Sequence, residues 1–272
     1  MKSVRSNGVP LWLLPNLLSL DAPLVAVVWQ SFLADCFALP LRMPGRLVLA
    51  LTVWGIYLAD RLLDVRRPAT GVESARHRFY RNHRRLAVGI LTAVLVTDLL
   101  LILFWLRPAV FRNGLIASAA VSLYLVFLHW KSDATRIPKE LIVALLFTAG
   151  TFLVAWTAAP NPAATLLLPA LSFFLLCLAN LVTIEMWEWR ELRDEKSGRP
   201  HRTAIWLGRS CIIWVSALAI ASFVFGNSAW WNAIAISAAA ESLICAIGTR
   251  LSLEVRRMLV DAILLSPIFF LL

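Results

Sequence analysis

Stretches of about 20 apolar residues, enough to cross a bilayer as a helix, recur along this chain, and that recurrence limits its fold more than any other feature. Nine can be marked, at roughly 11–38, 44–64, 86–106, 110–130, 138–158, 164–190, 203–225, 229–249 and 253–272. The breaks fall at helix-stop and turn signals: Pro40 and Pro44, Arg107-Pro108, Ile137-Pro138, Pro160-Asn161-Pro162 and Gly226-Asn227. In hydrocarbon every backbone N–H and C=O must be satisfied within the segment, so long apolar runs predict helices. Composition agrees. The chain is 60% hydrophobic and 15% charged, where a soluble domain is roughly half apolar and a quarter charged. An ordinary soluble globule, a disordered chain and a disulfide-stapled module are excluded. Lys2 and Arg5 before the run from Leu11 imitate a signal peptide. No small-residue cleavage site follows, and the apolar character continues past Asp21 to Phe37, so a retained first helix is predicted. Cys36, Cys177, Cys211 and Cys245 lie far apart in apolar runs and read as small buried hydrophobes.

The basic residues test the count. With nine helices and the N-terminus inside, 22 of the 26 Lys and Arg fall on the cytoplasmic side and 4 outside. That is the split expected of a nine-helix, N-terminus-in membrane protein. The net charge of +10 then belongs to cytoplasmic loops facing anionic head groups rather than to nucleic acid. The expected architecture is one all-α transmembrane domain over 1–272, in a cytoplasmic membrane of bacterial inner-membrane type, with no obligate protein partner evident.

Two cytoplasmic loops, 65–85 and 191–202, are long and charged. Each follows a helix ending in carboxylates. Asp60 and Asp64 are spaced i, i+4 and share a face; Glu188, Glu191 and Glu195 are spaced i, i+3, i+7, with Asp194 beside them. Basic stretches follow, containing Arg66 and Arg67 in one case and Arg199 and Arg202 in the other. Four helices separate the two units, as in a degenerate repeat. Like charges on one face repel by a few tenths of a kcal/mol per pair. Either cluster alone also reads as a juxtamembrane salt-bridge patch. Matched in sidedness and in basic loops, the pair points to a hard cation such as Mg²⁺, which takes carboxylate oxygens and phosphates together. Arginine forks suit phosphate oxygens. A lipid diphosphate, its head clamped at the surface and its tail among the helices, fits both.

These segments carry a family resemblance. Ile56-Tyr57-Leu58-Ala59-Asp60-Arg61-Leu62-Leu63-Asp64 resembles the first aspartate motif, NDxxDxxxD, of the UbiA superfamily of membrane prenyltransferases. Glu188 to Gly208, read as ExxExxxE followed by SGRPHRTAIWLG, resembles the second, DxxDxxxD, and the stretch after it. Ile56 and Tyr57 stand where the family has Asn and Asp, and glutamates replace the second motif's aspartates. The resemblance implies a UbiA-like nine-helix bundle transferring an isoprenyl group from a Mg²⁺-bound isoprenyl diphosphate to a lipophilic acceptor, aromatic or a quinone precursor. It implies metal ligation by Asp60, Asp64, Glu188, Glu191, Asp194 and Glu195, the first four being the catalytic set. Substrate contacts would fall to Tyr57, Arg61, Arg66, Arg67, Asn180, Arg199 and Arg202.

Two other readings stay open: a UbiA-like protein that binds lipid diphosphates without turnover, and a small-molecule or ion transporter. The second would use Asp98 and Glu241, which fall near the middle of apolar segments, where carboxylates are costly. Asp261 lies in the ninth segment without an evident role. Asn180 could line the pocket or bond a neighbouring helix. His77, His83 and the basic–aromatic run 76–85 suit head groups or phosphate, and Trp230-Trp231 suits an interfacial belt.

Overall fold

A computed structural model describes residues 17–65, 75–130, 139–191, 206–226, 228–247 and 250–272. Among these all regular structure is helical. The elements are α1 (Asp21–Cys36), α2 (Met43–Asp64), α3 (Ala75–Asn82), α4 (Arg84–Trp105), α5 (Pro108–Trp130), α6 (Lys139–Ala158), α7 (Pro162–Glu191), α8 (Cys211–Phe225), α9 (Ala229–Ile247), α10 (Leu253–Ile263) and α11 (Ile268–Leu271). Each of the nine apolar segments contains at least one helix. Four of them, α4, α6, α7 and α9, are long and apolar enough to cross a membrane, and α8 is apolar but shorter. The chain is thus an α-helical membrane protein.

The helix boundaries of the described residues depart from the sequence reading in three places. The first apolar run is not one helix over 11–38. Ser19 has φ 55°, a left-handed conformation that breaks the run, and α1 begins at Asp21. The Asp21 carboxylate accepts a bond from the Ala22 N–H at 3.0 Å. The loop 65–85 contains the short helix α3, whose Tyr80 is buried against Leu58 and Leu62 of α2. The ninth segment divides into α10 and α11. Pro267 has no N–H to give to the Ile263 carbonyl, and the Ser266 N–H takes it instead at 3.0 Å. At the other end of α1, Ala38 has φ 50° and donates to the Asp35 carbonyl at 3.3 Å, while the Leu39 N–H reaches Ala34 at 2.8 Å. This is a left-handed helix stop, where glycine is usual.

Helix α1 is the hub, packing on α2, α6, α9, α10 and α11. Lipid tails are as apolar as the helices, so burial from water does not drive helix association; packing and interhelical bonds do. Here both centre on Trp29, which is 0% exposed. Its ring meets Phe173 of α7 at 4.8 Å and Trp230 of α9 at 5.2 Å, pairs worth about 0.5–1.5 kcal/mol each. Its indole N–H donates to the Leu264 carbonyl at 2.7 Å. Trp230 therefore sits in the core rather than in an interfacial belt. Its own N–H donates to Ser172 Oγ at 3.2 Å, and Ser172 donates to the Pro169 carbonyl at 2.8 Å, beside the proline inside α7. With 30 residues, α7 is about 45 Å long at 1.5 Å per residue. A hydrocarbon layer spans about 30 Å, so α7 is longer than the layer is thick.

Candidate functional site

Asp60, Arg61 and Asp64 occupy the last turns of α2. Arg61 Nη1 lies 3.8 Å from Asp60 Oδ2 and 3.7 Å from Asp64 Oδ2, and the three side chains are 20–24% exposed. These distances describe ion pairs rather than hydrogen bonds. Arg61 Nε has no hydrogen-bond partner among the described residues. Part of the cationic charge that two carboxylates on one face require is thus supplied by the chain itself.

Other helices bring polar groups within electrostatic reach of this end of α2. Tyr124 of α5 lies within electrostatic reach of Asp60, Asp64 and Glu140. Glu140, in the first turn of α6, is buried. The Tyr124 hydroxyl and Glu140 Oε2 both lack a hydrogen-bond partner among the described residues. Tyr57 lies within electrostatic reach of Asp21, Arg61, Asp261 and Asp60. Tyr80 of α3 approaches Ser19, hydroxyl to hydroxyl, at 3.4 Å, so α3 lies over the start of α1 and the end of α2.

The second acidic stretch is tied to α10. Asn180 of α7 donates to Asp261 Oδ1 at 3.3 Å. Two turns further along, Glu188 forms an ion pair with Arg257. Beside this pair Arg256 lies over the Trp187 ring, 5.2 Å from its centroid. Positions ascending along α7 meet positions descending along α10, so the two helices run antiparallel. Asn180 thus makes an interhelical bond to Asp261, which lies within electrostatic reach of Tyr57.

The described residues bring together Asp60, Arg61 and Asp64 from the first motif, with Tyr57 on the same helix, and bond Asn180 to Asp261. Glu188 is engaged by Arg257. Arg66, Arg67, Asp194, Glu195, Arg199 and Arg202 lie outside the described residues, as does the Glu191 side chain. Among the described residues no group of three or more His, Cys, Asp or Glu is placed to hold a metal ion. Asp60 and Asp64 offer oxygen donors of the type a hard cation takes, and the Tyr124 hydroxyl lies within electrostatic reach of both.

The sequence reading passed over Glu140, Tyr124, Arg256 and Arg257. Glu140 follows Pro138-Lys139 in the first turn of α6, and its burial depends on the neighbouring helices. Asp98, 6% exposed, accepts a 2.7 Å bond from Thr52 of α2. It is held inside the helix pair α2–α4. Glu241 is buried in α9. His83 is exposed and its ring lies 4.8 Å from Phe79. The cysteines are free thiols; Cys177 and Cys211 are buried, Cys36 and Cys245 partly so. No family model, curated protein or solved structure matches the chain.

Proposed function

We propose that this chain is a nine-span, UbiA-like membrane prenyltransferase with its N-terminus and active site on the cytoplasmic side of a bacterial inner membrane. Its substrates would be an isoprenyl diphosphate and a lipophilic acceptor, aromatic or a quinone precursor. The observation that carries the reading is the Asp60–Arg61–Asp64 cluster, with the unsatisfied hydroxyl of Tyr124 within electrostatic reach of both carboxylates. Carboxylates and orphan oxygens at one end of an apolar bundle suit a hard cation and the phosphates it carries.

Asp60 and Asp64 would hold Mg²⁺, joined by Glu188, Glu191, Asp194 and Glu195 of the second motif. A bound Mg²⁺ neutralises the charge that develops on a leaving diphosphate. Arg61, with Arg66, Arg67, Arg199 and Arg202, would hold diphosphate oxygens through charge-assisted bonds. Tyr57, three residues before Asp60 on α2, would offer an aromatic face to an allylic cation. Helix α3, lying over the ends of α1 and α2, would help keep water from that cation. Glu188 would exchange Arg257 for the metal when substrate arrives.

Binding of farnesyl diphosphate to the purified protein, with Mg²⁺ and with chelator, tests the reading. Mg²⁺-dependent binding that Asp60→Asn abolishes is expected. No Mg²⁺-dependent binding by folded protein overturns it. Tyr57 in place of a carboxylate supports a second reading, a protein that binds lipid diphosphates without transferring the prenyl group. Binding as above, with no product from any phenolic acceptor, distinguishes it.

A further inference from the structure

Four cysteines scattered along the sequence read as packing, yet the fold sets two of them side by side. Helix α8 ends at Phe225 and α9 begins at Ala229, and the two pack against each other as an antiparallel hairpin. At 1.5 Å per residue, Cys211 lies about 21 Å back from the end of α8 and Cys245 about 24 Å along α9. The topology therefore brings these two residues level, at the ends of the helices away from the turn.

The side chains meet at a third helix. Thr183 of α7 is buried, and its Oγ1 lies 3.3 Å from Cys211 Sγ and 3.5 Å from Cys245 Sγ. A hydroxyl can donate to one sulfur while accepting from the S–H of the other, so this side chain holds both thiols at one point. The two sulfurs are also within hydrogen-bonding reach of each other. Both are free thiols. Access to them is one-sided. Cys211 is buried and Cys245 partly exposed, and the residues flanking them, Ile212, Ile213, Leu243 and Ile247, are exposed and apolar. In a chain that crosses a bilayer, exposed apolar flanks face lipid. A charged oxidant carried in water is therefore poorly placed to reach the pair, and an apolar one dissolved in the membrane is well placed.

We propose that Cys211 and Cys245 are a redox pair that closes to a disulfide between α8 and α9, with a membrane-soluble quinone as the oxidant. Both S–H bonds break and one S–S bond forms. The two electrons and two protons released pass to the quinone, which leaves as the hydroquinone. A dithiol reductant reverses the step by thiol–disulfide exchange. The pair goes beyond prenyl transfer and stands without it.

The test uses full-length, reduced protein in nanodiscs. It is exposed in turn to decylubiquinone, whose fully substituted ring disfavours thiol addition, to diamide and to oxidised glutathione. Remaining thiols are then alkylated in denaturant and the peptides read by mass spectrometry. With decylubiquinone, a peptide pair linked through Cys211 and Cys245 is expected. Alkylatable thiols should fall from four to two, leaving Cys36 and Cys177, and a dithiol should restore all four. Oxidised glutathione should act more slowly than the quinone. Failure of every oxidant to link Cys211 to Cys245 in folded protein would overturn the pair. Linkage by diamide but not by decylubiquinone, or faster linkage by oxidised glutathione, overturns the assignment of the quinone. In Cys211→Ser, decylubiquinone is expected to link nothing. A link from Cys245 to Cys177 that forms as fast in that variant as the native link does in wild type would show that proximity at Thr183 does not select the partner, and the pair would be lost. Mg²⁺-dependent farnesyl diphosphate binding on the reduced protein is read separately, so failure of the transfer reading leaves the result on the thiols unchanged.

Discussion

Replacing Arg61 by Met keeps the apolar stem and removes the guanidinium between Asp60 and Asp64. Two ion pairs at 3.7 and 3.8 Å are lost. A unit-charge pair at 4 Å is worth about 1 kcal/mol in water and about 4 kcal/mol at an effective dielectric of 20. The side chains are 20–24% exposed, so solvent screening holds each pair near the low end, about 1 kcal/mol. A divalent cation entering the cluster must displace or repel this guanidinium. Removing it is expected to strengthen Mg²⁺ binding by about 2 kcal/mol, roughly 30-fold. The same variant loses a phosphate contact, so Mg²⁺ affinity should rise while diphosphate affinity at saturating Mg²⁺ falls. Isothermal titration with Mg²⁺, then with farnesyl diphosphate, reads both. Unchanged or weaker Mg²⁺ binding, in a variant with the wild-type melting temperature, would refute the assignment of the metal to these carboxylates.

Three further outcomes are expected. Thr52→Val removes the hydrogen bond to buried Asp98 and should destabilise the α2–α4 pair by about 1–3 kcal/mol. Its melting temperature in detergent should drop with diphosphate binding intact; lost binding at full stability would give Asp98 a part in the site. A double-mutant cycle on Glu188→Gln and Arg257→Gln should give a stability coupling of about 1–2 kcal/mol, between exposed and buried ion-pair values. A coupling near zero would show that this pair does not tie α7 to α10. Ala38→Gly should stabilise by about 1 kcal/mol by relieving a left-handed Cβ, and a lower melting temperature would contradict this account of the end of α1.

Much of the helical arrangement was legible because lipid leaves the backbone few choices. Nine apolar segments all contain helices, and α4, α6, α7 and α9 meet the length and hydropathy of a span. The breaks inside 11–38 and 253–272 were not legible. Ser19 is a common residue in an uncommon conformation, and Pro267 stops a helix only where the preceding turn can tighten. At the candidate site the i, i+4 spacing of Asp60 and Asp64 was readable, since helix geometry fixes it. The partners across helices were not: Asn180 with Asp261, Glu188 with Arg257, and Tyr124 with Glu140 near Asp60 depend on which faces meet. Trp230 went astray for the same reason. Its place beside Trp231 suggested an interface, and packing against Trp29 and Phe32 puts it in the core.

The bond from Trp29 to the Leu264 carbonyl joins positions 235 residues apart. At a synthesis rate of about 5–20 residues per second, the indole waits roughly 10–50 s for its acceptor. During that interval an indole N–H on the central helix is in or near the bilayer without its final partner. The insertion machinery, a chaperone or a passing lipid head group must cover it. A chain arrested before the last helix would expose the same groups as a mark for membrane proteases. Completion of the bundle and escape from quality control would then be a single event, timed by the arrival of one carbonyl.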